Sequence, residues 1–121
     1  MGEIAMPVQI KESDWKLLRE LRTEALERFC QRILSEIEGV SANKALSAHQ
    51  SYLEIYQAIQ RHDEEMARTF NDHRRSTAFF ELAAIWSHGL LTPEELQRFS
   101  PETRSVLSVA CEKREAGCDD P

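Results

Sequence analysis

Residues 40–88 read VSANKALSAHQSYLEIYQAIQRHDEEMARTFNDHRRSTAFFELAAIWSH, and neither glycine nor proline occurs between Gly39 and Gly89. Without a residue that frees φ or locks it, nothing in the local chemistry forces this backbone to turn. The alternation of β-branched and polar residues that marks a strand is absent as well. The stretch therefore predicts helix, and its length predicts a break. As one rod, residues 44–88 would span about 68 Å, roughly twice the ~35 Å diameter of a globule of this chain length. The break is expected near Phe70–Ser76, where Asn71, Asp72, Ser76 and Thr77 are weak helix formers whose side chains compete for backbone hydrogen bonds. His62-Asp63 offers a second place for it. Tyr52, Ile59, Met66, His73 and Phe80 recur every seven residues and predict the packing seam.

Working outward, a first helix is expected from Asp14 to Glu38, with Ser13 as N-cap and Gly39 as its stop. Its apolar positions include Trp15, Leu18, Leu21, Leu26, Phe29, Cys30, Ile33, Leu34 and Ile37, a stripe wide enough to meet two neighbours. Arg19, Arg22, Glu24, Glu27, Arg28 and Gln31 are expected on the solvent side. Downstream, Leu91-Thr92-Pro93-Glu94-Glu95-Leu96 combines an N-cap, a proline at the first helical position, a capping box and a hydrophobic staple. A short helix to Arg98 follows, then a last one from Pro101 to Arg114 that buries Val106, Leu107, Val109 and Ala110. The expected architecture is all-α: a helical bundle of two long helical segments, the second broken, plus two short C-terminal helices. Residues 13–115 form the single domain, between an extended or disordered arm (1–12) and a flexible tail (116–121).

Fifteen Lys and Arg against twenty-one Asp and Glu give a net charge of −6, which opposes general attraction to nucleic acid or anionic lipid. His73-Arg74-Arg75 is the lone basic cluster, and the start of the last helix carries one Arg and one Glu, so nucleic-acid binding is not expected. No apolar run reaches the ~20 residues of a membrane span. Cys30, Cys111 and Cys118 are odd in number with no C-x-x-C spacing, which fits neither a disulfide framework nor a zinc knuckle. Cys30 reads as a small core residue, and the chain as a reduced, cytoplasmic protein.

Four histidines lie in or beside the central helices, but no two stand three or four apart as helical metal ligands must. His62 and Glu65 share one helical face with Thr69, Asp72 and Ser76. That face reads as solvated, with its charges paired as Arg61–Glu65, Glu64–Arg68 and Arg68–Asp72. His73, on the predicted seam, and Glu81, inside the apolar segment 76–88, each require a polar partner; for Glu81 a partner across a subunit interface is one reading. Ile55, Ala58, Ile59, Asp63, Ala67 and His73 are similar to the last helix of the ligand-binding domain of GntR-type repressors. Tyr52, however, stands where that pattern has its first metal histidine, His73 falls one residue early, and no winged-helix segment precedes it. The family is not assigned. Gly-rich phosphate loops and nucleophile elbows are absent.

Phe79, Phe80, Leu82, Ala83, Ala84, Ile85 and Trp86 nearly encircle their helix, and together with the wide stripe of the first helix they exceed what two long helices can hide from water. Self-association, most simply a two-fold dimer, is therefore expected, with Tyr52, Tyr56, Phe79, Phe80, Leu82 and Trp86 as interface anchors. The functional expectation is a non-enzymatic protein-interaction or regulatory module with no cofactor. The alternative is a helical bundle that binds a metal or small molecule through His62, Glu65, His73 and Glu81, with an enzyme among its outcomes.

Overall fold

A computed structural model describes residues 9–108. Helix accounts for 80% of these residues and none lies in a strand, so the class is all-α. The order is α1 (Glu12–Ala42), α2 (Ala48–Phe70), a 3-10 turn (Arg75–Thr77), α3 (Ala78–Ser87), α4 (Pro93–Gln97) and α5 (101–108). The expectations for residues 1–8 and for everything after 108, including Val109, Ala110, Cys111, Cys118 and the tail, lie outside the described residues.

The predicted break falls where the weak formers are: α2 ends at Phe70 and α3 begins at Ala78. The second candidate, His62-Asp63, stays inside an uninterrupted α2. Ser47 opens α2 with a capping box, its hydroxyl accepting from the Gln50 N–H while the Gln50 side chain accepts from the Ser47 N–H. The Thr92–Glu95 box opens α4 in the same way, with Pro93 at its start.

Helix α1 overruns its predicted limits at both ends. It begins at Glu12, with Lys11 rather than Ser13 in the N-cap position; a lysine side chain has no acceptor, and no side-chain cap forms. The buried Asp14 carboxylate accepts from the Ser100 N–H (3.0 Å), the Ser100 hydroxyl (2.6 Å) and the Thr103 hydroxyl (2.7 Å), and so caps α5 from across the molecule. Nor does Gly39 stop the helix. Glycine ends a helix by turning left-handed, and Gly39 does not do so; the chain turns instead at Asn43, whose side chain accepts from the Ala45 N–H. Gly89 does take the left-handed conformation (φ +68). There the Gly89 N–H donates to Trp86 O and the Leu90 N–H to Ile85 O, a Schellman closure of α3.

The core gathers at one end. Ile10, the first half of α1 (Leu17, Leu18, Leu21, Ala25, Phe29), Phe70, α3 (Ala78, Leu82, Ile85), Leu90, Leu91, Phe99 and Leu107 form one buried cluster. Arg19, Glu24, Glu27 and Gln31 face water as expected, but Arg22 and Arg28 are half-buried and turn in to close this end, a correction to the expectation for those two. Arg22 donates to the Phe70 carbonyl at the end of α2 (2.7 Å). Arg28 reaches the Leu90 carbonyl (2.8 Å), and Arg32 the His88 and Gly89 carbonyls (2.6 Å each), just past the end of α3. Guanidinium groups thus satisfy the carbonyls that helix C-termini leave without partners.

Beyond Phe29 on α1 and before Thr69 on α2 the architecture thins. The distal part of α1 and the early part of α2 form a two-helix hairpin arm, in which Ala58 alone is fully buried. The side of α2 turned inward is Ser51, Ile55, Ala58, His62, Glu65 and Thr69. The predicted seam is therefore one residue out of register, and much of it faces water: Tyr52, Ile59 and Phe80 are exposed. The face read as solvated contributes His62, Glu65 and Thr69 to the packed side. Registers one residue apart differ by about 100° on a helix, and in α2 both carry apolar residues, so periodicity alone chose the wrong one.

Candidate functional site

The arm's outer side carries an open groove of about 340 Å³. Cys30, Ile33, Leu34 and Ile37 of α1 form one wall; Ile59, Asp63 and Met66 of α2 form the other. Cys30 is thus a half-buried wall residue rather than part of the core. Along α2 the spacing 52, 56, 59, 63, 66 continues one face, so Tyr52 and Tyr56 extend the apolar strip toward the hairpin tip. The exposures are large for such side chains: Tyr52 65%, Leu34 57%, Tyr56 53%, Ile59 47% and Leu53 40%. The four on the groove side, Tyr52, Leu34, Tyr56 and Ile59, leave on the order of 500 Å² uncovered, toward the upper end of what a soluble monomer shows in one patch, while Leu53 lies further round α2. The Tyr56 hydroxyl accepts from the Gln60 amide, and His49 stacks on Tyr52. Asp63 is the one ionisable wall residue apart from the Cys30 thiol.

On the arm's inner side the polar groups answer one another. Glu36 accepts from Arg61 (3.0 Å) and lies 2.7 Å from His62 Nε2. The His62 hydrogen bond chiefly holds the Glu36 carboxyl below the usual carboxylate range; burial opposes it next, and the His62 and Arg61 charges add smaller lowering effects. Glu65 is lowered chiefly by its hydrogen bond from Arg68 (2.7 Å), with His88 (3.3 Å) adding to it. The Phe29 ring lies near both His62 and His88, at centroid distances of 6.2 and 5.9 Å. Asp72 takes Arg74 as its partner. The intrahelical pairs expected at i,i+4 are thus replaced by Arg61–Glu36 between helices, Arg68–Glu65 at i,i+3, and Arg74–Asp72.

His73 belongs to a different cluster. Its Nδ1 lies 2.7 Å from Glu81, and its ring stacks on Trp15 at 4.8 Å. Glu81, with its side chain only 2% exposed, also accepts from Arg22 Nε at 2.9 Å. The partners of Glu81 are therefore in its own chain, not across an interface. His62, Glu65 and His73 are not brought together as one ligand set, and among the described residues no group of three or more His, Cys, Asp or Glu is arranged to hold a metal ion. No helix of the described residues is long and apolar enough to cross a membrane.

The expected interface anchors separate into three kinds. Tyr52 and Tyr56 stand exposed on the arm. Phe79 and Trp86 are partly buried against the core, and Leu82 is fully inside it, so Leu82 offers nothing to a second chain. Phe80 stands alone on the far side of α3 at 74% exposure. Leu34, Leu53 and Cys30 were not among the expected anchors. For Cys30 and Leu34 the signal lies in the spacing Cys30-Ile33-Leu34-Ile37, once α1 is seen to outrun the core.

No known family matches. Comparisons with protein-family signatures, curated proteins and solved structures find nothing similar to this chain.

Proposed function

We propose that this protein is a non-enzymatic interaction module that self-associates through the arm formed by the distal half of α1 and the early half of α2. The observation that carries the reading is the uncovered apolar groove together with Leu34, Tyr52, Tyr56 and Ile59 on one side of a two-helix hairpin. Two helices can each hide one stripe against the other; a further apolar stripe on the same pair calls for a further layer. A second copy supplies that layer in kind. Two antiparallel hairpins related by a two-fold axis make a four-helix bundle whose shared core is the groove from each side. The four exposed side chains and the partly exposed groove walls contribute most of the roughly 800 Å² per partner of a stable protein interface. The two tyrosines are the residue type that dominates binding energy at such surfaces.

The test is the mass in solution. Light scattering on the full chain at tens of micromolar should give twice the chain mass. Leu34→Glu combined with Tyr56→Glu should return it to the monomer mass with the helical circular dichroism kept, because neither residue belongs to the core. A monomeric parent chain, or a dimer indifferent to both substitutions, would remove the reading.

A further inference from the structure

We propose that residues 71–77 form a straightening hinge through which two copies of this chain exchange α3 and the helices that follow it. The inference is independent of the arm and rests on the connector's own chemistry. Asn71-Asp72-His73-Arg74-Arg75-Ser76-Thr77 contains no glycine and no proline, so no residue in it forbids helix. Much of it is already close to helical. Asn71 has φ −77 and ψ −19, and its N–H still donates to Ala67 O as in a continuing helix. Residues Arg75–Thr77 form a 3-10 turn and Ala78 is helical. Arg74 is fully extended, at φ −134 and ψ 152. Turning the middle of the connector into helix would join α2 to α3 in one rod.

Side-chain contacts keep the connector bent. The Thr77 hydroxyl donates to the Asp72 and Arg74 carbonyls. Arg74 pairs with Asp72 where both are largely exposed, an arrangement worth little. His73 reaches Glu81, and Arg22 holds the Phe70 carbonyl. Beyond the connector, α3 and the segment after it are fixed by the burial of Ala78, Leu82 and Ile85 against the first half of α1, by the Arg22–Glu81 pair, by the Arg28 and Arg32 bonds to the carbonyls of residues 88–90, and by His88 beside Glu65 of α2. Those contacts are the same whether α3 returns to its own α1 and α2 or docks on those of a second copy, so they cancel between the closed and exchanged forms. The connector alone sets the balance. Straightening it exchanges the bonds of one turn for continuous helix.

The two forms differ in a distance. In the closed form α3 folds back along α2, bringing His88 within 3.3 Å of Glu65. In a continuous helix, positions 64 and 87 would stand about 35 Å apart. Spin labels placed by Glu64→Cys and Ser87→Cys, in a chain with Cys30, Cys111 and Cys118 changed to alanine, read that distance. Labelled chain is mixed with excess unlabelled chain, unfolded, and refolded at high concentration, so only distances within one chain are seen. Leu34→Glu is present throughout to keep the arm out of the readout.

Asp72→Ala/Arg74→Ala/Ser76→Ala changes three exposed positions to better helix formers and leaves the core untouched. It should raise the slowly exchanging dimer fraction several-fold over the parent and add a population near 35 Å in the dimer peak. Arg74→Gly, which disfavours helix at an extended position, should suppress both. Equal dimer fractions in the two variants, or a dimer that retains only the short distance, would overturn the hinge.

Discussion

Replacing Arg28 by methionine tests whether the charged side of α1 holds the C-terminal helices in place. The Arg28 guanidinium makes a two-pronged pair with Glu95 (2.8 Å on each prong) and donates to the Leu90 carbonyl. The Glu95 carboxyl is lowered from the ordinary 4.5 to about 2, first by the Arg28 hydrogen bonds and then by the Thr92 N–H of its capping box, with burial opposing them. A shift of that size corresponds to about 3 kcal/mol of preference for the ionised form in the folded state. Part of it survives in the variant, because the Thr92 contacts remain. A third of the Arg28 side chain is in water, which screens its share further. About 1.5–2 kcal/mol should therefore be lost at pH 7, a drop of roughly 1 M in urea midpoint.

The pH dependence has a definite sign. A carboxyl depressed by folding contributes its full stability above 4.5, loses it as pH falls toward 2, and contributes none below that. Parent and variant should differ fully at pH 7 and converge across the window from pH 4.5 to 2. Urea titrations followed by circular dichroism at pH 7 and pH 3 give both numbers. A gap at pH 3 as wide as at pH 7, or a loss below 0.5 kcal/mol at neutral pH, would show that the pair does not fasten α4 to α1.

Other substitutions carry equally definite expectations. Asp14→Ala removes the buried acceptor of three hydrogen bonds and leaves the Ser100 and Thr103 donors without it; thermal denaturation should show a loss of about 3 kcal/mol. The two central glycines should respond in opposite directions. Gly39→Ala lies inside a helix with nothing within 4 Å of the new Cβ, so it should raise stability by roughly 0.5–1 kcal/mol. Gly89→Ala meets a left-handed backbone and should lower it by about 1–2 kcal/mol.

The features legible in the sequence are those whose physics is local. The Thr92–Glu95 box, the missing breakers before Gly89 and the weak formers at 71–77 each act over one turn, and each appears where it was read. Asp14 was legible as an acid at a helix start, but its partners lie 86 and 89 residues away, and nothing near it in sequence points there. Arg22 and Arg28 read as surface charge for the same reason. On α2 the error was one of phase: both the 52/59/66 and the 55/62/69 rows carry apolar residues, and the choice between them is made by α1 and Phe29, not by α2. The arm itself was hidden behind Gly39, which was read as a stop and allows the helix through.

The reach of Arg22, Arg28 and Arg32 has a consequence for synthesis. Their carbonyl acceptors lie 48 to 62 positions further along the chain. When α1 leaves the ribosome, its guanidinium side has only water to bind, and it must wait for residues 70 to 90 to emerge before docking. Chains cut short before Leu90 would lack the anchoring points for Arg28 and Arg32 together, and should be degraded in cells rather than accumulate as a stable half.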